Sequence, residues 1–155
     1  MSLHQDLVRE SLLFWCGPQF IENYRPDWLL GMELDFYFPK QKIAIEVQGR
    51  QHKRWTPDLQ KTVGDFKSQK SRDGAKKQLC HGYGVRLIRL NHVLQSVQNT
   101  LNKKLSRKLK GGKFLPELPP LLKAKWKGYL STWAKLDYHR RQQGKYIRSG
   151  YRDYY

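Results

Sequence analysis

Two carboxylates stand in two short alternating stretches of this sequence. In E-L-D-F-Y-F-P-K-Q-K-I-A-I-E-V-Q, which begins at Glu33, the side chains of Asp35 and Glu46 fall on the strand face opposite the aliphatic residues. A tight turn at Lys40-Gln41 would lay the two strands antiparallel and bring the carboxylates together. Carboxylates held close to each other repel unless a cation or a shared proton lies between them. The spacing therefore predicts a cation site.

Magnesium is the cation that these donors favour. It takes carboxylate, carbonyl and water oxygens, polarises a phosphodiester and lowers the pKa of an attacking water. We predict Asp35 and Glu46 as its ligands, with the backbone oxygen of Val47 as a further one, and Gln48 on the same face as Glu46. The predicted cofactor is Mg²⁺, with Mn²⁺ as a substitute.

The same residues resemble the PD-(D/E)XK nuclease superfamily, with Gln48 where its usual lysine stands. The phrase D-F-Y-x-P…I-E-x-x-G-x-x-H, followed by D-x-x-K and L-I-R, is similar to one branch more closely. That branch includes very-short-patch-repair endonucleases and the phage homing endonucleases called EDxHD. The resemblance covers about residues 5 to 95 and implies a restriction-endonuclease-like core that hydrolyses DNA.

The resemblance also implies a set of catalytic residues that line one site. Asp35 would bridge the metal, Glu46 would be a ligand or lie beside one, and His52 would act as general acid or base. Asp73 would orient that imidazole. The positions implied are the helix glutamate Glu10, the strand aspartate Asp35, the variable position Glu46 or Gln48, the histidine His52 and the final aspartate Asp73.

Alternatives remain open at three of these positions. Glu33 competes with Glu10, because it shares the strand face of Asp35. Asp73 also fits an ordinary i,i+4 ion pair with Lys77.

The missing lysine leaves a further choice. With Gln48 in its place, either His52 or Lys76 would stabilise the transition state. The replacement of that lysine by Gln48 is also compatible with a catalytically idle relative. As a separate alternative, Asp35 and Glu46 could form ion pairs with local lysines or arginines instead of binding a metal.

The elements that must position these residues follow from hydrophobic periodicity. The order predicts an α/β fold with a small mixed β-sheet flanked by helices. Glu10 is anomalous, because it lies third in the apolar series 3, 7, 10, 14 of the first helix. The predicted elements are a helix over 3–16, strands over 32–38 and 43–48, a helix over about 59–81, a strand over 85–90 and a helix that begins at Asn91.

The composition changes beyond Leu105. We predict a nuclease core over 1–105, a basic, proline-rich linker on the surface over 106–120, and a basic, aromatic C-terminal extension over 121–155. The extension contains a helix over 121–143, whose apolar stripe would dock on the core or on a second subunit. That stripe is Leu122, Trp126, Tyr129, Trp133 and Leu136.

The charge balance points to a polyanionic partner. Among 155 residues, 30 lysines and arginines face 13 acids, which gives a formal net charge of +17. We predict double-stranded DNA as the partner and the C-terminal extension and the segment 50–55 as its contacts. The predicted DNA-binding residues are Arg50, Lys53, Arg54, Lys123, Lys127, Arg140, Arg141, Lys145, Arg148 and Arg152.

The sequence shows neither a membrane-spanning apolar run nor a signal-peptide pattern, so we expect a soluble protein of the host cytoplasm or nucleoid, without a membrane partner. Cys16 and Cys80 lack C-x-x-C spacing and are expected as buried thiols. They do not match the structural zinc that the repair enzymes of the branch bind, which favours the homing type.

The resulting interpretation is a Mg²⁺-dependent DNA endonuclease, a homing enzyme of a phage or mobile element. Cutting two strands with one small site argues for a homodimer, or else for a nickase. The alternatives are a structure-selective nuclease, similar to a Holliday-junction resolvase, and a catalytically idle DNA-binding module.

Overall fold

The computed structural model describes residues 2–47, 63–90, 103 and 115–142, without the side chains of 63–67, 69, 133 and 136–142. In chain order the elements are α1 (Leu3–Cys16), β1 (Ile21–Tyr24), a 3-10 helix (Asp27–Leu29), β2 (Leu34–Phe38), β3 (Ile43–Val47), α2 (Val63–Gly82), β4 (Arg86–Leu90) and α3 (Pro120–Gln142). Within these ranges no helix is long and apolar enough to cross a membrane.

The four strands form one mixed sheet in the order β1-β2-β3-β4. β2 is antiparallel to both β1 and β3, while β4 runs parallel to β3. A parallel neighbour requires a crossover, and α2 lies in the connection between β3 and β4. The predicted α/β class, with a small mixed sheet and flanking helices, is therefore confirmed.

Helix α1 begins and ends where the sequence predicts. Ser2 caps it in a reciprocal capping box with Gln5, and the chain leaves it at Gly17, whose φ of 67° suits glycine. Its buried stripe includes Leu7, Val8, Leu12 and Trp15. Leu3 and Phe14 are exposed, so the series 3, 7, 10, 14 is the border of the helix rather than its core face.

One hydrophobic cluster fills the space between the sheet and the helices α1 and α3. Strands β2, β3 and β4 contribute to it from one face of the sheet, through residues that include Phe36, Ile45 and Ile88. Trp126 of α3 is fully buried there and donates a hydrogen bond from Nε1 to Ser11 Oγ at 3.1 Å. The stripe of α3 therefore docks on the core of its own chain through Leu122, Trp126 and Tyr129.

The described end of the predicted surface linker is not on the surface. Leu115 and Leu118 are buried in the same cluster, and Trp15 donates its indole hydrogen to the carbonyl of Pro116 at 2.8 Å. The prolines of this segment suggested a surface course, but its two leucines gain more by burial against α1.

A second, smaller cluster lies on the other face of the sheet, beneath α2 and the 3-10 helix. It contains Leu29, Ala44, Cys80 and Val85. Leu34 also belongs to this cluster rather than to that of Phe36, although both residues were predicted on one face. The sheet thus has helical layers on both faces, as expected for strands that are buried on both sides.

Strand β1 was not predicted from the sequence, which suggested a loop before Pro26. It is a four-residue edge strand of half-buried and exposed residues that pairs with β2. So short a segment has too little alternation to stand out, and its strand geometry comes from the partner strand.

Candidate active site

Asp35 is held between two elements at the end of β2. Its Oδ1 accepts a hydrogen bond from Gln5 Nε2 at 2.8 Å, and its Oδ2 accepts one from the backbone N–H of Val47 at 2.7 Å. Gln5 itself is fixed by the capping box with Ser2 at the start of α1. The carboxylate is thereby locked in orientation by the first turn of a helix and by the last residue of β3.

Glu46 forms a half-buried ion pair with Lys76 of α2. Lys76 Nζ lies 2.8 Å from Glu46 Oε1, and both side chains are only 15% exposed. The same ammonium donates to the backbone carbonyl of Glu33 at 2.6 Å. Lys76 therefore connects helix α2, strand β3 and the segment that leads into β2.

Strand register places the charged residues in a row across the sheet. Glu46 of β3 is the partner of Arg89 on β4. On the other side of β3, Phe36 of the antiparallel strand β2 lies opposite Ile45. The next position along this register places Asp35 opposite Glu46. Asp35, Glu46 and Arg89 thus occupy adjacent positions on three neighbouring strands.

Asp73 joins this row from α2. Its backbone carbonyl accepts a hydrogen bond from Arg89 Nη2 at 2.6 Å. Asp73 and Lys76 are one turn apart on α2, so the helix presents both to the same end of the sheet. We call Asp35, Glu46, Asp73, Lys76 and Arg89 the carboxylate site.

The electrostatics of the site disfavour the charged form of Glu46. The pKa of Glu46 is raised to about 7: burial is the largest cause, the charge of Asp35 acts in the same direction, and Lys76 opposes both effects. The charge of Asp73 also raises the pKa of Glu46, by a smaller amount than that of Asp35. An additional cation between the carboxylates would relieve this repulsion.

Glu10 lies elsewhere, which corrects its expected place beside Asp35. Its carboxylate pairs with Lys125 of α3 at 3.1 Å. Both line a groove of about 690 Å³ between α1 and α3, and the lining of this groove includes neither Asp35 nor Glu46. Position 10 is on the border of α1, whereas the residue of α1 that reaches Asp35 is Gln5, at the helix start.

The alternative glutamate, Glu33, contributes its backbone rather than its carboxylate. Its carbonyl binds Lys76, while its side chain pairs with Arg25 at 2.8 Å.

Several predicted residues lie outside the described ranges. These are Gln48, Arg50, His52, Lys53, Arg54, Lys145, Arg148 and Arg152, together with the side chains of Arg140 and Arg141. Of the predicted DNA contacts in the described part, Lys123 and Lys127 are exposed on α3, and Lys123 pairs with Glu117. Their predicted roles stay predictions.

The fit to a metal can be judged on the donors that are present. Across 2–47, 63–90, 103 and 115–142, no three histidine, cysteine, aspartate or glutamate side chains gather closely enough to hold an ion. Asp35 and Glu46 supply two hard oxygen donors, and magnesium takes few protein carboxylates and completes its shell with water. The raised pKa of Glu46 indicates that the pair lacks positive charge. The donor set fits a magnesium ion held by these two residues.

Two residues of the site escaped the sequence-based prediction. Gln5 could have been found only through the S-x-x-Q capping box that fixes it at the start of α1. Arg89 stands in the strand V-R-L-I-R-L, where its alternation with leucine suggested only an exposed position. Its register with Glu46 depends on the parallel pairing of β3 with β4.

The fold and the site define a mixed α/β domain with a carboxylate and lysine cluster at one end of its sheet. No protein-family model matches the chain, and no solved structure matches it.

Two uncharacterized viral proteins are similar in sequence. Uncharacterized protein 307L of Invertebrate iridescent virus 6 is 29% identical over 100 residues, which covers 57% of this chain and 51% of the relative. Uncharacterized protein 094L of Frog virus 3 (isolate Goorha) is 35% identical over 81 residues, which covers 52% of each. The chain spans about half the length of these curated relatives.

Proposed function

We propose that the chain is a magnesium-dependent DNA endonuclease that hydrolyses phosphodiester bonds at the carboxylate site. The observation that carries the proposal is the convergence of Asp35 and Glu46 at one sheet end, with the ammonium of Lys76 hydrogen-bonded to Glu46. A clustered set of opposed charges in a partly buried position is a common feature of catalytic sites.

Asp35 and Glu46 would hold the ion. Bound magnesium would polarise the scissile phosphate and lower the pKa of the attacking water. Asp35 is the better organised of the two ligands, because Gln5 and the Val47 N–H fix its orientation before anything binds.

Lys76 would supply the positive charge of the superfamily lysine, because Gln48 occupies the position of that lysine in this chain. Its ammonium neutralises Glu46 in the metal-free protein. With Glu46 engaged as a metal ligand, Lys76 would be available to donate to a phosphate oxygen, where a cation stabilises the charge that develops in the transition state.

The charge of the chain supports DNA as the substrate. A formal net charge of +17 on 155 residues strongly favours binding to a phosphate backbone. The similarity to two viral proteins supports a viral origin. The homing type, the homodimer and the DNA contacts of the C-terminal extension remain parts of the proposal that rest on sequence.

The test is cleavage of supercoiled plasmid by the purified protein with Mg²⁺ or with EDTA, beside the Asp35→Asn variant. Asparagine keeps the size of the side chain and removes its charge, so we expect at least a hundredfold loss of cleavage with a folded protein. Asp6→Asn is the matched control, because Asp6 is a partly exposed residue whose hydrogen bond is to Arg9. DNA affinity in Ca²⁺, measured by fluorescence anisotropy, should be unchanged in both variants.

Cleavage that survives Asp35→Asn would exclude the carboxylate site as its source. Tight DNA binding by a wild-type protein that never cleaves would favour the idle DNA-binding module. Glu10→Gln adds a second comparison, since activity should fall only if Glu10 acts in catalysis despite its place beside Lys125.

A further inference from the structure

A stacked aromatic pair lies at the C-terminal end of α2, and an exposed leucine belongs to the same short segment as one of its rings. The rings of Trp28 and Tyr83 stack with centroids 4.7 Å apart and an interplanar angle of 17°. Tyr83 is 57% exposed, and Leu30, two residues after Trp28, is 76% exposed. We call Trp28, Leu30 and Tyr83 the aromatic patch.

Leu30 has a backbone conformation that is unfavourable for leucine. It ends the 3-10 helix in the left-handed region, with φ 54° and ψ 43°. A leucine there is strained, whereas glycine or asparagine adopts this conformation readily. A large apolar side chain in a strained and exposed position points to a role outside the fold.

The segment from Trp28 to Glu33 is fastened to α2 at both ends. Trp28 stacks on Tyr83, directly after the last residue of α2, and the carbonyl of Glu33 accepts a hydrogen bond from Lys76. Lys76 and Tyr83 are seven residues apart, which corresponds to about 10 Å along a helix. The patch and the carboxylate site therefore lie along the same helix, close enough for one DNA strand to contact both.

We propose that the aromatic patch binds unstacked bases of DNA at a boundary between double and single strand, and thereby places a nearby phosphate of the same strand at the carboxylate site. This inference rests on the proposed endonuclease function and names its substrate class. Aromatic rings bind bases by stacking on their faces, and apolar side chains separate stacked bases by wedging between them. In a closed duplex those faces are covered, so the patch gains most from DNA that has lost pairing.

DNA is the occupant that the molecule favours over a protein. The patch is continuous with the carboxylate site through Glu33 and Lys76, and the chain as a whole carries a net charge of +17. This charge would attract the phosphates on either side of an unstacked base.

The experiment measures binding in Ca²⁺ to a forked DNA, to its fully paired duplex and to the single strand, by fluorescence anisotropy. A 2-aminopurine at the first unpaired position of the fork reports stacking by its loss of fluorescence. We expect the wild-type protein to bind the fork about tenfold more tightly than the duplex and to quench the probe. Leu30→Asn should remove most of that preference without lowering the melting temperature, because asparagine accepts the left-handed conformation.

Leu121→Asn is the matched control, since Leu121 is 78% exposed in the first turn of α3, away from the patch. It should bind the fork as the wild type does. Tyr83→Ala gives a second variant and should weaken quenching in the same direction as Leu30→Asn.

Equal affinity for fork and duplex, or an unchanged preference in Leu30→Asn, would overturn the inference and leave the patch to a protein partner or to packing. Plasmid cleavage that depends on Asp35 would still stand in that case, so the two failures are distinguishable. In Mg²⁺, cuts mapped at one fixed short distance from the fork support the placement, and cuts without a fixed distance from it contradict the placement.

Discussion

Two lysine–glutamate pairs of this protein lie on opposite sides of the sheet, and they differ mainly in burial. Glu10 and Lys125 lie 3.1 Å apart between α1 and α3, with 40% and 54% of their side chains exposed. Glu46 and Lys76 lie 2.8 Å apart between β3 and α2, with 15% exposed on each side. The chemistry of the two pairs is the same, and burial together with Asp35 raises the pKa of Glu46 to about 7.

The difference shows what burial does to an ion pair. Water screens the exposed pair, which is typically worth less than about 1 kcal/mol. The buried glutamate loses its hydration and also faces Asp35, so one lysine does not fully stabilise its charge. The first pair joins two helices, whereas the second joins β3 to α2 next to another carboxylate.

The largest expected effect is a loss of stability when the packing between α1 and α3, the helices that hold the exposed pair, is disrupted. Trp126→Ala removes a fully buried side chain and its hydrogen bond to Ser11, so we expect a loss of about 3–5 kcal/mol in the free energy of unfolding. The loss is measured by urea denaturation. Trp126→Phe should cost clearly less, since it keeps most of the apolar volume. A loss below about 1 kcal/mol for the alanine variant would contradict the docking of α3 on α1.

Removing the lysine from each pair tests the comparison directly. Lys76→Met leaves Glu46 half-buried without its cation, and we expect a loss of about 1–3 kcal/mol at pH 8. Lys125→Met, the matched change in the exposed pair, should stay within about 0.5 kcal/mol. Denaturation of both variants gives the two numbers. At pH 5 the loss in Lys76→Met should shrink, because Glu46 is then protonated, and equal losses in both variants would remove the distinction.

The smallest expected effect is the pH dependence that Glu46 imposes on stability. Its pKa rises from 4.5 in the unfolded chain to about 7 in the folded protein. The folded state therefore holds the proton more tightly, and this group lowers stability progressively as pH rises from about 4.5 to 7. Glu46→Gln should be more stable than the wild type above pH 7, by on the order of 1–3 kcal/mol, and the difference should vanish near pH 4.

Melting temperatures measured across pH 4 to 8 test this sign. Glu10→Gln is the matched control and should show no such trend. Added Mg²⁺ should stabilise the wild type at pH 8 more than at pH 5, and should do little for Glu46→Gln. A wild type that gains stability relative to Glu46→Gln with rising pH would show that the pKa of Glu46 is not raised.

Much of the architecture could be predicted from local patterns. The apolar periodicity and the stop at Gly17 predicted α1 at its observed bounds, Leu3–Cys16. The alternation of side chains predicted β2, β3 and β4 to within a few residues. A strand that packs against a core has a two-residue repeat of buried positions, and this repeat is visible in the sequence. The convergence of Asp35 and Glu46 followed from the same alternation together with a short hairpin.

The rest depended on contacts between distant segments. β1 has no pattern of its own, and the leucines of 115–118 were read as linker because proline dominated the local composition. The family resemblance implied Glu10 as a site residue, yet the rotation of α1 against the sheet turns Gln5 toward Asp35 and Glu10 toward Lys125.

The sequence by itself determined the elements other than β1, their order and the strand face that carries Asp35 and Glu46, because these follow from spacing along one chain. Only the tertiary structure decided which lysine faces which glutamate, and it set the pKa of Glu46 through burial and through Asp35. It also placed Trp28 on Tyr83 and Glu33 on Lys76. Burial and charge proximity depend on segments that are far apart in sequence, so no local pattern encodes them.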